Sequence, residues 1–114
     1  MDLYVSDRNL RRAIDDGTVG QRYGTDMAKK IKLRLAVLRA AESLGDFWPP
    51  KSGPERCHEL KGDRAGTFSV DLKQPYRLLF KPIEPAPPLD RSAERQRWQA
   101  ITATDIVAIE DTHE

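Results

Sequence analysis

From residue 67 onward the chain alternates. Phe68, Val70 and Leu72 fall on one side and Thr67, Ser69 and Asp71 on the other, the two-residue period of a half-buried strand. Gln74 and Pro75 break the pattern and Tyr76 to Lys81 resumes it, with Tyr76, Leu78 and Phe80 inward and Arg77, Leu79 and Lys81 on the opposite face. The two runs predict a hairpin. Upstream, Thr25 to Leu44 carries a different period. Met27, Ile31, Leu35 and Leu38 form one apolar stripe, and Leu33, Val37, Ala40 and Leu44 form a second. No glycine or proline interrupts this run, so it predicts one long helix, capped by Thr25 or Asp26 and ended by Gly45 in the left-handed conformation. Lys29, Lys32 and Arg39 line one seam between the stripes and Lys30 and Arg34 the other, as solvated cations whose stems lie along apolar faces.

The flanking segments are shorter. Asp2 to Val5 suits an opening strand. Ser6 can cap a first helix that carries Leu10, Ala13 and Ile14 at helical spacing and stops at Gly17. Residues 18 to 24, with glycines at 20 and 24 and no sustained period, read as a loop. Pro49, Pro50, Gly53 and Pro54 end the helical half. Arg56 to Lys61 is strand-like and Gly62 to Gly66 a turn. Prolines at 82, 85, 87 and 88 make residues 82 to 96 an exposed excursion that neither helix nor ladder can cross. Trp98 to Ile109 reads as a strand, and Ile106 to Ile109 is apolar on both alternating faces, which predicts an internal position. The order implies one α+β domain over residues 1–114. Two N-terminal helices would pack on one face of a mainly antiparallel sheet of about four to five strands, leaving the other face open to bind.

Composition narrows the classes. With 114 residues, 39% apolar and 32% charged, the chain has room and material for a single core, which excludes wholesale disorder. No apolar run approaches a membrane span and no secretory signal pattern opens the chain, so a cytoplasmic location and no membrane partner are expected. The lone Cys57 excludes a disulfide scaffold and a multi-cysteine zinc site. The net charge of +1 divides unevenly: residues 51 to 82 carry seven Lys/Arg against four Asp/Glu, whereas residues 83 to 114 carry three against seven. That points to a local anion site in the middle segment rather than a broad nucleic-acid surface.

Candidate chemistry is sparse. His58 and His113 are the two side chains whose ordinary pKa suits proton transfer near neutrality. A single strand histidine is more often a hydrogen-bonded structural residue, and residues next to a terminus are often frayed. Phosphate-binding loop, HExxH, CxxC and GxSxG motifs are all absent, which removes nucleotide hydrolysis, zinc catalysis and serine hydrolase chemistry. No metal or other cofactor is expected. Arg77 faces away from Tyr76, Leu78 and Phe80, toward the uncovered side of the sheet. What remains is proton transfer around a bound anion.

Four stretches together resemble a known family: Arg56-Cys57-His58-Glu59-Leu60-Lys61-Gly62-Asp63-Arg64, Phe68-Ser69-Val70, Pro75-Tyr76-Arg77-Leu78-Leu79-Phe80, and Ile109-Glu110-Asp111-Thr112-His113. The chain resembles the HigB toxins of the RelE/ParE toxin–antitoxin superfamily, in motif over residues 56 to 81 and 109 to 113 and in pattern over the helical half. The resemblance implies a RelE/ParE-like fold and ribosome-dependent cleavage of mRNA, without metal, by attack of a 2′-hydroxyl on the adjacent phosphodiester. It also implies a cognate antitoxin, expected to be a DNA-binding HigA-like protein, with the ribosome and mRNA as further partners. Carried over by position, His113 is the principal proton-transfer group and Asp111 orients or assists it. Lys61 and Arg77 stabilise charge, and His58 shares acid–base work or holds the phosphate. Arg64, Lys73 and Thr112 are the expected RNA contacts. Thr112 departs from the family, which commonly has a stacking aromatic residue there, and the excursion over 82 to 98 is longer than the usual turn. The competing expectation is a non-catalytic protein of the same fold, a gyrase poison or a degenerate toxin acting as a regulatory partner of an antitoxin.

Overall fold

The computed structural model describes residues 1–83 and 93–111. It is α+β, with β1 (Asp2–Tyr4), α1 (Arg8–Asp16), α2 (Thr18–Tyr23), α3 (Thr25–Ala40), β2 (His58–Glu59), β3 (Phe68–Asp71), β4 (Tyr76–Pro82), α4 (Glu94–Ala100) and β5 (Ala103–Asp111) in chain order. The five strands make one mixed sheet in the order β1-β5-β4-β3-β2, in which β1 runs parallel to β5 and every other pair is antiparallel. β5 is internal, as its two apolar faces predict.

The helical half is more broken than its sequence suggests. Asp7, not Ser6, caps α1: its carboxylate accepts from the Leu10 amide at 2.9 Å, while the Ser6 amide donates to Asp105 on β5. Gly17 ends α1 at φ 78°, as expected, but residues 18 to 23 then form α2 rather than a loop. Only Val19 of α2 is buried, so the segment is too short and too polar to show a period. The N-terminal helices therefore number three, not two.

α3 starts after Gly24 without a side-chain cap and ends four residues before the expected stop. Its chain turns extended at Ala41 because the next residues have a stronger tertiary partner. The Leu44 amide donates to the Ile101 carbonyl at 3.0 Å, and Leu44–Phe47 closes a 3₁₀ turn against α4. Gly45 thus has no left-handed role. A Cβ there would lie 2.6 Å from Gln99 Cγ and 3.1 Å from Gln99 Cα, so its missing side chain permits the turn to approach α4. One stripe of α3, Met27, Ile31, Leu35 and Leu38, enters the core with Phe68, Val70, Leu78, Phe80 and Ile106. The second fails at Leu33, which is half exposed. Arg34, expected to be solvated, is buried beside the first stripe.

Two strand predictions also change. The segment 56 to 61 pairs only over His58 and Glu59, and Trp98 belongs to α4 rather than to a strand. Trp98 is wholly buried, edge-on to Trp48 at 5.2 Å and to Phe68 at 5.4 Å. Its aromatic, strand-prone side chain hid a helix whose purpose is to seat one large ring. The part of the expected 82–98 excursion between 84 and 92 lies outside the described residues. Among the described residues, no helix is long and apolar enough to cross a membrane.

Candidate functional site

Cross-strand partners share a face of a sheet, so the register assigns the face away from the helices. One row across it reads His58, Ser69, Leu79, Ala108, and the next reads Asp71, Arg77, Glu110. This face was expected to be open, yet Ser69 and Leu79 are completely buried and all four residues of β3 are buried rather than half-buried. The turn after β2 reaches over this face. Arg64, from the 3₁₀ turn Gly62–Arg64, ion-pairs with Glu110 on β5 although β3 and β4 stand between β2 and β5. Arg64 thereby ties the turn to the polar row at one end of the sheet.

That row is dense in charge. Asp71 lies almost out of solvent, with 8% of its side chain exposed. Its Oδ1 is 3.4 Å from Arg77 Nε and its Oδ2 is 3.4 Å from Arg56 Nε. Arg77 is only 15% exposed and Arg56 51%. A third arginine meets Asp71 from the core side, where Arg34 Nε donates to the Asp71 carbonyl at 2.7 Å and an Arg34 η-nitrogen to the Pro54 carbonyl at 3.1 Å.

His58 adjoins this row. Its Nδ1 is 2.9 Å from the Arg56 carbonyl oxygen. A carbonyl can only accept, so Nδ1 carries the proton and Nε2 keeps its lone pair. Nε2 is buried with no protein partner among the described residues, as is the neighbouring Ser69 hydroxyl. Burial, together with the positive charges of Lys51 and Arg77, holds the imidazole below its ordinary pKa against the opposing pull of the Arg56 carbonyl and Asp71. His58 is thus a neutral base near pH 7. Cys57 points into the core, where burial and the Glu55 charge push its thiol up to about 12.

The remaining expected site residues lie at different places. Lys61 is exposed where the chain leaves β2 for the turn Gly62–Arg64. Arg64 is on that turn and engaged with Glu110. Asp111 stands opposite Tyr76, one position out of phase with Arg77, and Glu110 stands opposite Arg77. Lys73 pairs at 3.7 Å with Asp26 on α3, away from the polar row. Thr112 and His113 lie outside the described residues. Asp71, Arg56 and Glu110 were missed, although alternation had already put Asp71 on the face of Arg77. Among the described residues no three His, Cys, Asp or Glu side chains are grouped to hold a metal ion. A shallow groove of about 500 Å³ is lined by Arg8, Arg11, Arg12, Asp15 and Asp16 of α1 alone, on a different element from this row.

The fold is that of the YoeB/ParE toxins. The YoeB/ParE toxin from Agrobacterium tumefaciens superposes with a TM-score of 0.53 at 18% identity, over 99% of this chain and 100% of its own. The YoeB–YefM complex from Staphylococcus aureus gives 0.54 at 17% identity, over 100% and 98%, and the YoeB dimer from the same organism gives 0.52 at 18%, over 100% and 98%. By sequence, no protein family and no curated protein matches the chain.

Proposed function

We propose that the chain is the toxin of a type II toxin–antitoxin pair and acts as a metal-independent mRNA endoribonuclease on the ribosome. The observation that carries this reading is the gathering, at one end of a single sheet face, of Arg77, Arg56 and Asp71 beside a neutral histidine with an unused lone pair. Cleavage of RNA without metal needs these parts. A base removes the 2′-hydroxyl proton, the 2′-oxygen bonds to phosphorus as the P–O5′ bond breaks, cations stabilise the dianionic phosphorane, and an acid protonates the departing 5′-oxygen. The products are a 2′,3′-cyclic phosphate and a 5′-hydroxyl. In this reading Arg77 and Lys61 stabilise the phosphorane, His113 is the principal proton-transfer group with Asp111 assisting it, and His58 serves as a base rather than as a cation for the phosphate. Arg64, Lys73 and Thr112 are RNA contacts, with Lys73 required to exchange Asp26 for a phosphate.

The partner in this reading is a cognate antitoxin. The likeness to a toxin fold solved with YefM supports that role, while the HigB-type identity and a DNA-binding HigA-like antitoxin rest on the motif resemblance alone. A second reading, a non-catalytic toxin or regulatory partner, draws on one specific observation: Arg56, Arg77 and Arg64 are each engaged by a carboxylate, which lowers the net positive potential offered to RNA.

Induction in a host lacking the antitoxin, with mapping of mRNA 5′ ends, separates the two. The nuclease reading expects growth arrest with cuts phased to codons, abolished in Arg77→Ala and His113→Ala. Arrest without phased cuts points to a different target and overturns it.

A further inference from the structure

Asp71 joins two arginines that belong to different parts of the chain. Arg77 is its cross-strand partner, fixed by the β3–β4 register. Arg56 arrives from the loop before β2, and its backbone is unusual: φ is 48°, the left-handed region that a side chain with a Cβ rarely adopts. Such a conformation is strained and persists only where surrounding contacts over-determine it. Two contacts do so here. The Asp71 amide donates to the Glu55 carbonyl at 2.8 Å, pinning the residue before Arg56 to the end of β3. His58 Nδ1 donates to the Arg56 carbonyl itself. The result turns the Arg56 side chain back over β3, where its Nε meets Asp71. Both arginines stand with Nε 3.4 Å from the carboxylate, as ion pairs on its two oxygens, and Asp71 Oδ1 accepts no hydrogen bond among the described residues. An acid in this position also relieves the repulsion between two cations brought onto one carboxylate.

We propose that Arg56 and Arg77 form a paired cradle for one phosphodiester, and that Asp71 is the positioning residue that holds the cradle in shape. This rests on the nuclease reading for its ligand and adds to it a second phosphate-binding arginine and the group that orients both. Arginine suits such a role because its planar fork can present two parallel donors to a phosphate. Ion-paired to one carboxylate, the two guanidinium groups are already drawn together in the absence of ligand, which reduces the ordering cost on binding.

Charge alone predicts the opposite sign for the decisive variant. Removing an anion beside an anion site strengthens binding if Asp71 merely competes with the ligand, and weakens it if Asp71 holds the arginines in place. The test titrates the full chain with a deoxydinucleoside monophosphate, one phosphodiester that the protein cannot cleave by 2′-hydroxyl attack, and follows the arginine Nε–Hε resonances by NMR. In the wild type the Arg56 and Arg77 signals shift together. Asp71→Asn and Arg56→Ala each weaken binding about tenfold, the scale of one lost charge-assisted hydrogen bond. In an Arg56→Ala, Arg77→Ala background the Asp71→Asn change has no further effect, an outcome that a general loss of stability does not produce. Equal or tighter binding by Asp71→Asn, unchanged binding by Arg56→Ala, or wild-type protein whose two arginine signals ignore the probe each overturns the proposal. If Asp71→Asn fails to fold, Arg56→Ala decides, because that side chain stands half in solvent. A wild type that binds the probe through both arginines yet cuts no mRNA refutes the nuclease and leaves the cradle standing.

Discussion

Arg34 is the side chain whose removal tests the packing argument most sharply. It is 5% exposed, projects from α3 beside Met27, Ile31, Leu35 and Leu38, and donates to two main-chain carbonyls, Asp71 at 2.7 Å and Pro54 at 3.1 Å. Arg34→Met keeps the apolar stem and deletes the guanidinium. Two terms then oppose each other. Each hydrogen bond from a charged donor contributes roughly 1.5–3 kcal/mol, so losing both costs about 3–6 kcal/mol, most of it at the buried Asp71 carbonyl because Pro54 is exposed and its carbonyl can turn to water. Against this, the variant no longer buries a cation, a relief that can reach several kcal/mol where the ion was poorly compensated. The first term wins here, because the Asp71 carbonyl is left buried without its donor, so the net loss is about 2–4 kcal/mol. With a urea slope of about 2 kcal/mol per molar, the unfolding midpoint, followed through Trp48 and Trp98 fluorescence, falls by about 1–2 M. A midpoint within error of the wild type, or above it, refutes the reasoning and means that desolvation of the guanidinium cancels its bonds.

Gly45→Ala introduces a Cβ 3.1 Å from the α4 main chain at Gln99. It is expected to destabilise by about 1–3 kcal/mol, as overpacking does, measured by thermal melting. The depressed pKa of His58 sets a pH dependence with a definite sign. As pH falls below 6.5 the unfolded chain takes up a proton that the folded chain refuses, so stability declines with acidification until the lower folded pKa is reached. Urea midpoints from about pH 7.5 to pH 5.5 should fall in the wild type and fall less in His58→Gln; equal slopes would refute a buried neutral imidazole. Cys57, buried with its thiol pushed up to about 12, should react with a thiol reagent only through opening of the core, at a rate that rises with urea.

The elements that read correctly from the sequence are those whose periodicity reports on a single contact. β3 and β4 alternate because one face of each meets the helices, and the first stripe of α3 repeats because one face meets the sheet. Errors arose where a second partner intervened. The end of α3 was set by Ile101, almost sixty positions away, which takes the Leu44 amide. Propensity alone favours a strand at Trp98, yet its ring packs edge-on between Phe68 and Trp48. At the site, Arg77 was legible because alternation gives its face. Arg56 was not, since no pattern announces a left-handed arginine whose carbonyl is held by a histidine two residues on. Asp71 read as an ordinary polar residue on a strand until its two partners were seen together.

Asp71 also explains why the sheet end tolerates so much charge. Its amide donates to Glu55, its carbonyl accepts from Arg34 on the core side, and its carboxylate meets Arg56 and Arg77 on the other face. One residue therefore links the helix layer, the loop before β2 and the polar row. The geometry of the row then depends on α3 being docked, since loss of Arg34 frees the Asp71 carbonyl and with it the backbone from which the carboxylate is aimed. This makes a graded expectation that stability alone does not. Arg34→Met, studied at a temperature where it is still fully folded, should bind a phosphodiester more weakly than wild type, and it should do so without changing the charge of any group in the row. A variant elsewhere on α3 with the same loss of stability, such as Leu38→Ala at about 2–5 kcal/mol, should leave that affinity unchanged when compared in the same folded state. If the two variants behave alike, the coupling runs through global stability and not through Asp71.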